Sequence, residues 1–280
     1  MKRLLLTALF FIIALSSQAQ FFQRSEFGLI GGGMNYIGDL NNKYNFKNTH
    51  LMLGVIYRYN FTPRWVLKAN LSFGKVSAND ADNGNIRNLS FESKINELGA
   101  TCEFNFFDYQ TGSSRHRLTP YIFAGVSLFW INPRTEITNP LTYEKEWVYL
   151  RDLSTEGEGI AGYEGKYSLM QIAIPFGLGV KFSLGKYVCI GLEWGLRKTF
   201  TDYIDDVSKD YVDQTVLING AGLESAAAAD RTHELAGYQN TYNKAGSMRG
   251  NPQTKDWYQT FGLTITTKIG FFQKKKCTIF

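Results

Sequence analysis

Apolar and polar residues alternate with period two along most of this chain, and helical periodicity is rare. Eight segments read as strands, at about 27–37, 50–60, 65–78, 89–107, 118–131, 169–183, 187–199 and 257–271. In the last, Phe261, Leu263, Ile265, Ile269 and Phe271 share one face, while Gly262, Thr264, Thr266, Lys268 and Gly270 share the other. The fourth sets Leu98, Ala100, Cys102, Phe104 and Phe106 against Glu97, Gly99, Thr101, Glu103 and Asn105. The seventh sets Leu192, Trp194 and Leu196 against Gly191, Glu193, Gly195 and Arg197.

A soluble sandwich would show the same alternation, so other features decide. Several of these strands reach the roughly nine to eleven residues that a tilted strand needs to cross a bilayer. Aromatic residues gather at strand ends: Trp65, Trp130, Trp257, Phe106–Phe107, Phe271–Phe272 and Tyr57 through Phe61. That is the pattern of an interfacial girdle. Connections alternate between short ("FTPR", "DYQTGSSRHR", "LGK") and mostly longer ones, the longest at about 132–168 and 200–256. The expected fold is therefore all-β: a transmembrane up-and-down antiparallel β-barrel of about eight strands, with short periplasmic turns and long extracellular loops. A hairpin within either long loop would raise the count to ten.

On this reading the apolar parity faces lipid and the small or polar parity faces a lumen narrow enough for side chains to fill. Arg58, Lys68, Glu97, Glu103, Lys181, Glu193, Arg197 and Lys268 then form a lumen charge network, opposite charges satisfying one another where isolated burial would be costly. Cys102 reads as lipid-facing and Cys189 as lumen-facing, which opposes a bridge between them.

Lys2 and Arg3 precede an apolar run from Leu4 to Leu15, and Ser17 and Ala19 are small residues suited to a signal peptidase. Residues 1–19 are expected to be a signal peptide, leaving 20–280 as one barrel domain in the outer membrane. Removing Lys2 and Arg3 lowers the formal charge from +5 to +3, too mild a balance to suggest nucleic acid. The three histidines lack metal-ligand spacing. "GLIGGGMNY" lacks the lysine and following helix of a phosphate loop. Asp202, Asp205, Asp206, Asp210 and Asp213 lack the spacing of an EF-hand and read as a solvated loop. No catalytic, cofactor or metal residue is expected. Residues 222–238 have helix-forming composition.

The segments "GGGMNYIGDLN" (31–41), "NELGATCEFNFFDY" (96–109), "PYIFAGVSLFWINP" (120–133), "IPFGLGVKFSLGK" (174–186), "GLEWGLRKTFTDYIDDVS" (191–208) and "RGNPQTKDWYQTFGLTITTKIG" (249–270) occur in order across nearly the whole chain. Together they resemble the PorG family of the Bacteroidetes, an outer-membrane barrel component of the type IX secretion system. The resemblance implies docking to a periplasmic ring of PorK and PorN, in a protein-export machine that in some members also serves gliding motility. It carries over no catalytic residues. Asp202, Tyr203, Asp205 and Asp206 belong to its most specific segment. Basic elements expected on the periplasmic side, Arg115, His116 and Arg117 with Lys274, Lys275 and Lys276, are the candidate partner-docking residues. Two other readings stay open: a small barrel acting in adhesion or passive transport, and a hydrolase using rim carboxylates.

Overall fold

Among the described residues ten strands form, and eight of them close on themselves. The computed structural model describes residues 24–42, 45–239 and 241–269. The strands are β1 (Ser25–Ile37), β2 (His50–Asn60), β3 (Trp65–Asn79), β4 (Ser90–Asn105), β5 (Leu118–Trp130), β6 (Arg134–Thr138), β7 (Lys145–Tyr149), β8 (Met170–Leu184), β9 (Val188–Thr199) and β10 (Trp257–Lys268). The signal segment 1–19 and the tail bearing Lys274, Lys275 and Lys276 lie outside the described residues.

Antiparallel pairing runs β3-β2-β1-β10-β9-β8-β5-β4, and a further β3–β4 ladder closes the ring. Each barrel strand thus pairs with its neighbours in sequence once the β6–β7 hairpin is set aside. That hairpin touches the barrel ladder through the single pair Glu92 and Arg134. Its presence in the 131–169 connection accounts for the count of ten.

The register is staggered. Followed from Phe73 through β2, β1, β10, β9 and β8, it reaches Pro120 on β5. Followed the other way, through Asn96, it reaches Trp130 on the same strand, ten residues along. A stagger of this kind tilts the strands steeply to the barrel axis.

Parity divides the side chains as the alternation predicts. Leu51, Leu53, Leu67, Leu98, Ile122, Val126, Leu192, Leu263 and Ile265 point outward and are exposed, whereas Met52, Ile56, Arg58, Lys68, Glu97, Glu103 and Glu193 point inward and are buried. A continuous outward apolar belt is the surface a barrel presents to hydrocarbon. At one rim Trp65 packs on Phe104 at 4.9 Å, and Phe104 on Phe106 at 5.8 Å. At the other, Trp130 and Trp257 end their strands.

The connections at 61–64 and 185–187 are tight turns, and that at 106–117 a short loop, all at the first rim. At the second rim the longer connections fold into a cap. The β3–β4 hairpin ends in a short helix, α1 (Asp80–Asn83), capped by the Asn79 side chain on the Ala81 amide at 2.9 Å. The longest connection carries α3 (Gln214–Ala221), capped by Asp213 on Thr215 at 2.8 Å, and α4 (Leu223–Ala229); α2 (Leu150–Leu153) follows β7. Met34, Tyr36, Val76, Phe91 and Ile95 from the strands pack with Leu40, Ile131, Ile137, Ile204 and Val207 from the cap in one apolar core. The long outer connections are therefore a folded lid continuous with the barrel.

Candidate functional site

Two buried charged clusters lie inside this frame, one in the lumen and one in the cap. In the lumen, Glu103 accepts from Arg58 Nε at 2.9 Å and from Lys181 Nζ at 2.8 Å. Glu193 accepts from Lys68 Nζ at 2.6 Å and from the Tyr121 hydroxyl at 2.8 Å, with Arg58 Nη2 at 3.7 Å. One layer nearer the cap, Glu97 accepts from Arg197 Nε at 3.0 Å, Tyr258 Oη at 2.6 Å and Asn70 Nδ2 at 2.9 Å. The Lys68 ammonium also lies 4.2 Å from the centre of the Phe123 ring.

Seven of the eight predicted lumen charges are thus brought together. Lys268 is not among them. It lies on the inward parity but half-buried at the turn-side mouth, beside Glu26 and Asn60. Three partners escape the sequence reading. Tyr121 and Tyr258 sit on the inward parity, where a hydroxyl has to find a partner. Glu26 is buried and held by Thr111 Oγ1 at 2.6 Å and Thr266 Oγ1 at 3.0 Å, yet it precedes the point where the alternation makes a strand visible.

The cap corrects a second expectation. Asp202, Asp205 and Asp206 are buried, at 3%, 1% and 0% exposure, and do not form a solvated loop. Asp210 and Asp213 alone of that run are exposed. The Tyr36 hydroxyl lies 2.5 Å from Asp205 Oδ2 and 2.6 Å from Asp256 Oδ1. A hydroxyl owns one proton and cannot donate to both. One of the two carboxyls must therefore hold a proton and donate it back. Burial raises Asp205 well above the usual carboxylate range, reinforced by the charge of Asp256, and burial raises Asp256 likewise.

Beside this pair, Asp206 accepts from Tyr167 Oη at 2.7 Å and from Thr155 Oγ1. Arg249 bridges to Glu156 Oε1 at 2.8 Å and lies 3.9 Å from Asp206. Glu156 in turn accepts from the amides of Ser208 at 2.8 Å and Lys209 at 3.0 Å. Burial, aided by Glu158 and opposed by Arg249, pushes Asp206 up to about 8. Burial pushes Asp202 up to about 6, opposed by Ser208 and by Lys255. Tyr203 stacks flat on Tyr167, with ring centres 4.5 Å apart.

Three of the segments that carry the family resemblance, 31–41, 191–208 and 249–270, converge here. Tyr36, Gly38 and Asp39 come from the first, Asp205 and Asp206 from the second, and Arg249, Gly250, Asn251 and Asp256 from the third. The Asn251 amide donates to Asp39 Oδ2 at 2.6 Å. A Cβ on Gly38 would lie 2.0 Å from the Tyr36 hydroxyl, and one on Gly250 would lie 2.6 Å from the Ser208 nitrogen. Both positions require glycine because other groups already fill the space. Chemically the cluster is a set of proton-sharing, hydrogen-bonded carboxyls that tie the cap to β1 and β10. No group of side chains fit to hold a metal ion occurs among the described residues.

Residues 2–150 match the family described as "Domain of unknown function (DUF6089)". The chain belongs to that family. No curated protein matches the sequence of this DUF6089 member. Solved barrels similar to it include Neisserial surface protein A, with TM-score 0.41 and 10% identity, over 87% of this chain and 96% of that one. Ail, the attachment invasion locus protein of Yersinia pestis, gives 0.40 and 9%, over 87% and 96%. The outer membrane protein OprG of Pseudomonas aeruginosa gives 0.39 and 10%, over 88% and 98%. The likeness goes no further than barrel to barrel.

Proposed function

We propose that this DUF6089 protein is a non-enzymatic outer-membrane barrel of the PorG type, which anchors the periplasmic PorK/PorN ring of a type IX secretion system to the membrane. The observation that carries the reading is that the barrel is filled. Arg58, Lys68, Lys181, Glu103 and Glu193 occupy the lumen, and a packed cap covers its outer end. A barrel so filled acts through its faces. The turn-side face is compact and basic, with Arg115, His116 and Arg117 all exposed on the 106–117 connection. Cap carboxyls engaged by Tyr36, Tyr167 and Arg249 are poor candidates for rim hydrolysis, which needs a carboxylate open to substrate.

The test is co-purification from detergent-solubilised outer membrane, comparing the native chain with an Arg115→Glu, Arg117→Glu variant. Ring proteins should accompany the native barrel, and the variant should lose them while reaching the membrane at the same level. Intact cargo secretion in a strain lacking the gene, with no ring protein recovered, would sink the idea.

One observation favours a second reading, surface adhesion. The β6–β7 hairpin exposes Leu141, Tyr143, Trp147 and Tyr149 above the rim, with Arg134 stacked 4.7 Å over Trp147. An exposed aromatic edge is the kind of surface that recruits a partner. Loss of surface binding after removal of residues 139–146, with secretion unchanged, would support adhesion over docking.

A further inference from the structure

A cleft of about 920 Å³ opens where the apolar belt meets the cap, within the range of small-molecule sites. Its floor is the outward side of three strand ends: Ile37 of β1, Trp257 of β10 and Leu196 of β9. Ile37 pairs with Trp257, and Trp257 with Lys198. Leu196 follows Leu192 and Trp194 on the exposed parity, and Phe176 of β8 meets Trp257 edge-on at 6.0 Å. The floor is therefore an extension of the belt. The roof is Ile86, from the β3–β4 connection, and Met248, both large, apolar and exposed.

Polar chemistry gathers at the upper edge. The Lys255 side chain is 43% exposed, with Nζ 3.0 Å from the Pro252 carbonyl and 3.5 Å from Asp202. Lys198 is exposed on the outward face of β9. Asp39, the one acid of the lining, is engaged by the Asn251 amide. Arg87 and Arg249 are fixed by Asp80 and Glu156, which makes the roof and back wall rigid.

We infer that the cleft retains one anionic phospholipid molecule, with a chain along Leu196 and Trp257 beneath Ile86 and Met248, and its phosphate at Lys255 and Lys198. The inference rests on the membrane reading given above. Three features point to a lipid. The apolar floor is reached from the belt, the cations stand where the headgroup level would lie, and the overhanging roof gives one lipid a contact that its neighbours around the barrel lack.

Native mass spectrometry of the full chain in detergent, with added phosphatidylglycerol, phosphatidylcholine or inorganic phosphate, tests it. One phosphatidylglycerol should be retained per barrel, about tenfold more tightly than phosphatidylcholine, and Lys255→Glu should remove that preference. The paired change Ile86→Trp, Met248→Trp fills the cleft and should abolish retention, while heat-modifiable gel migration shows that the barrel remains folded. Equal retention of both lipids, or retention unaltered in the filled variant, marks ordinary annular lipid and overturns the inference. Displacement by inorganic phosphate at matching concentration also overturns it, since the ligand would then be the free anion. A chain that folds and inserts into bilayers yet retains no lipid refutes the cleft alone. One that fails to insert refutes the membrane reading.

Discussion

The two charged clusters respond differently to the loss of a single residue. Glu103 lies between Arg58 and Lys181, with Lys68 at 3.7 Å, so Glu103→Ala leaves three buried cations short of a counter-charge. Removing one partner of a buried pair costs about 3–5 kcal/mol, whereas removing both together can be close to neutral. Urea unfolding of the refolded barrel in detergent should show a loss of that order for Glu103→Ala. The Arg58→Met, Glu103→Met pair should recover more than half of it. Additive losses would mean that the network is not coupled as its geometry indicates. In the cap the sign runs with pH. Burial holds Asp206 at about 8, above the roughly 3.9 of an unfolded aspartate. Between those values the folded cap keeps a proton that the unfolded chain has released. Its stability is therefore greatest at low pH and falls as pH rises through about 8. Each proton so retained steepens the fall by up to about 1.4 kcal/mol per pH unit. Hydrogen exchange of amides 204–208, corrected for intrinsic rate, should report easier opening at pH 9 than at pH 6. Asp206→Asn keeps its contacts to Thr155 and Tyr167 but has no proton to lose, and should lessen the dependence, leaving the part due to the Asp205 and Asp256 pair.

At the scale of elements, what a strand shows in sequence depends on how one-sided its surroundings are. The eight barrel strands separate lipid from lumen along their length, so alternation places them to within a few residues. The β6–β7 hairpin was legible only as a possibility. Each strand has five residues, β7 is exposed or half-exposed throughout, and the hairpin meets the cap core through Ile137 of β6 and the half-buried Val148 of β7. The cap acids misled for a related reason. An acidic run reads as solvated because its neighbours in sequence offer no counter-charge, and here the partners come from Tyr36, Thr155, Tyr167 and Arg249, far along the chain. The seven lumen charges were legible because strand parity alone puts them on one face. Membrane dependence belongs to this scale too. Leu98 lies mid-strand on β4, exposed and opposite Leu71 and Leu128. Arg at the midplane of a barrel's lipid face costs about 2–4 kcal/mol, so Leu98→Arg should markedly reduce folding into vesicles. Lys145→Ala on the β6–β7 hairpin, outside the belt, should leave it unchanged. Equal folding yields for the two variants would count against the placement of the belt.

For the whole molecule, the lumen network and the cap are seals in series, and a series arrangement makes a definite statement about conduction. A path through the barrel has to pass both the layer of Arg58, Lys68, Glu103, Lys181 and Glu193 and the lid packed on Tyr36, Ile204 and Val207. Opening either seal alone leaves the other shut. In planar bilayers the native barrel should therefore show no stable conductance step. A variant with residues 205–250 replaced by a short Gly/Ser linker should remain silent, because the four cations and three acids of the lumen still occupy the barrel's width. Conductance should appear only when the linker variant also carries Lys68→Ala and Glu193→Ala, which removes two bulky side chains and the ion pair between them from the inner layer. Steady conductance in the linker variant with the lumen intact would show the charged layer to be permeable, so that the cap would be the functional gate and passive transport the better account of the protein. Silence in the linker variant, and in Lys68→Ala, Glu193→Ala with the cap intact, with current only in the combined variant, would leave the barrel's faces as its working surfaces, which is what an anchor for a periplasmic partner requires.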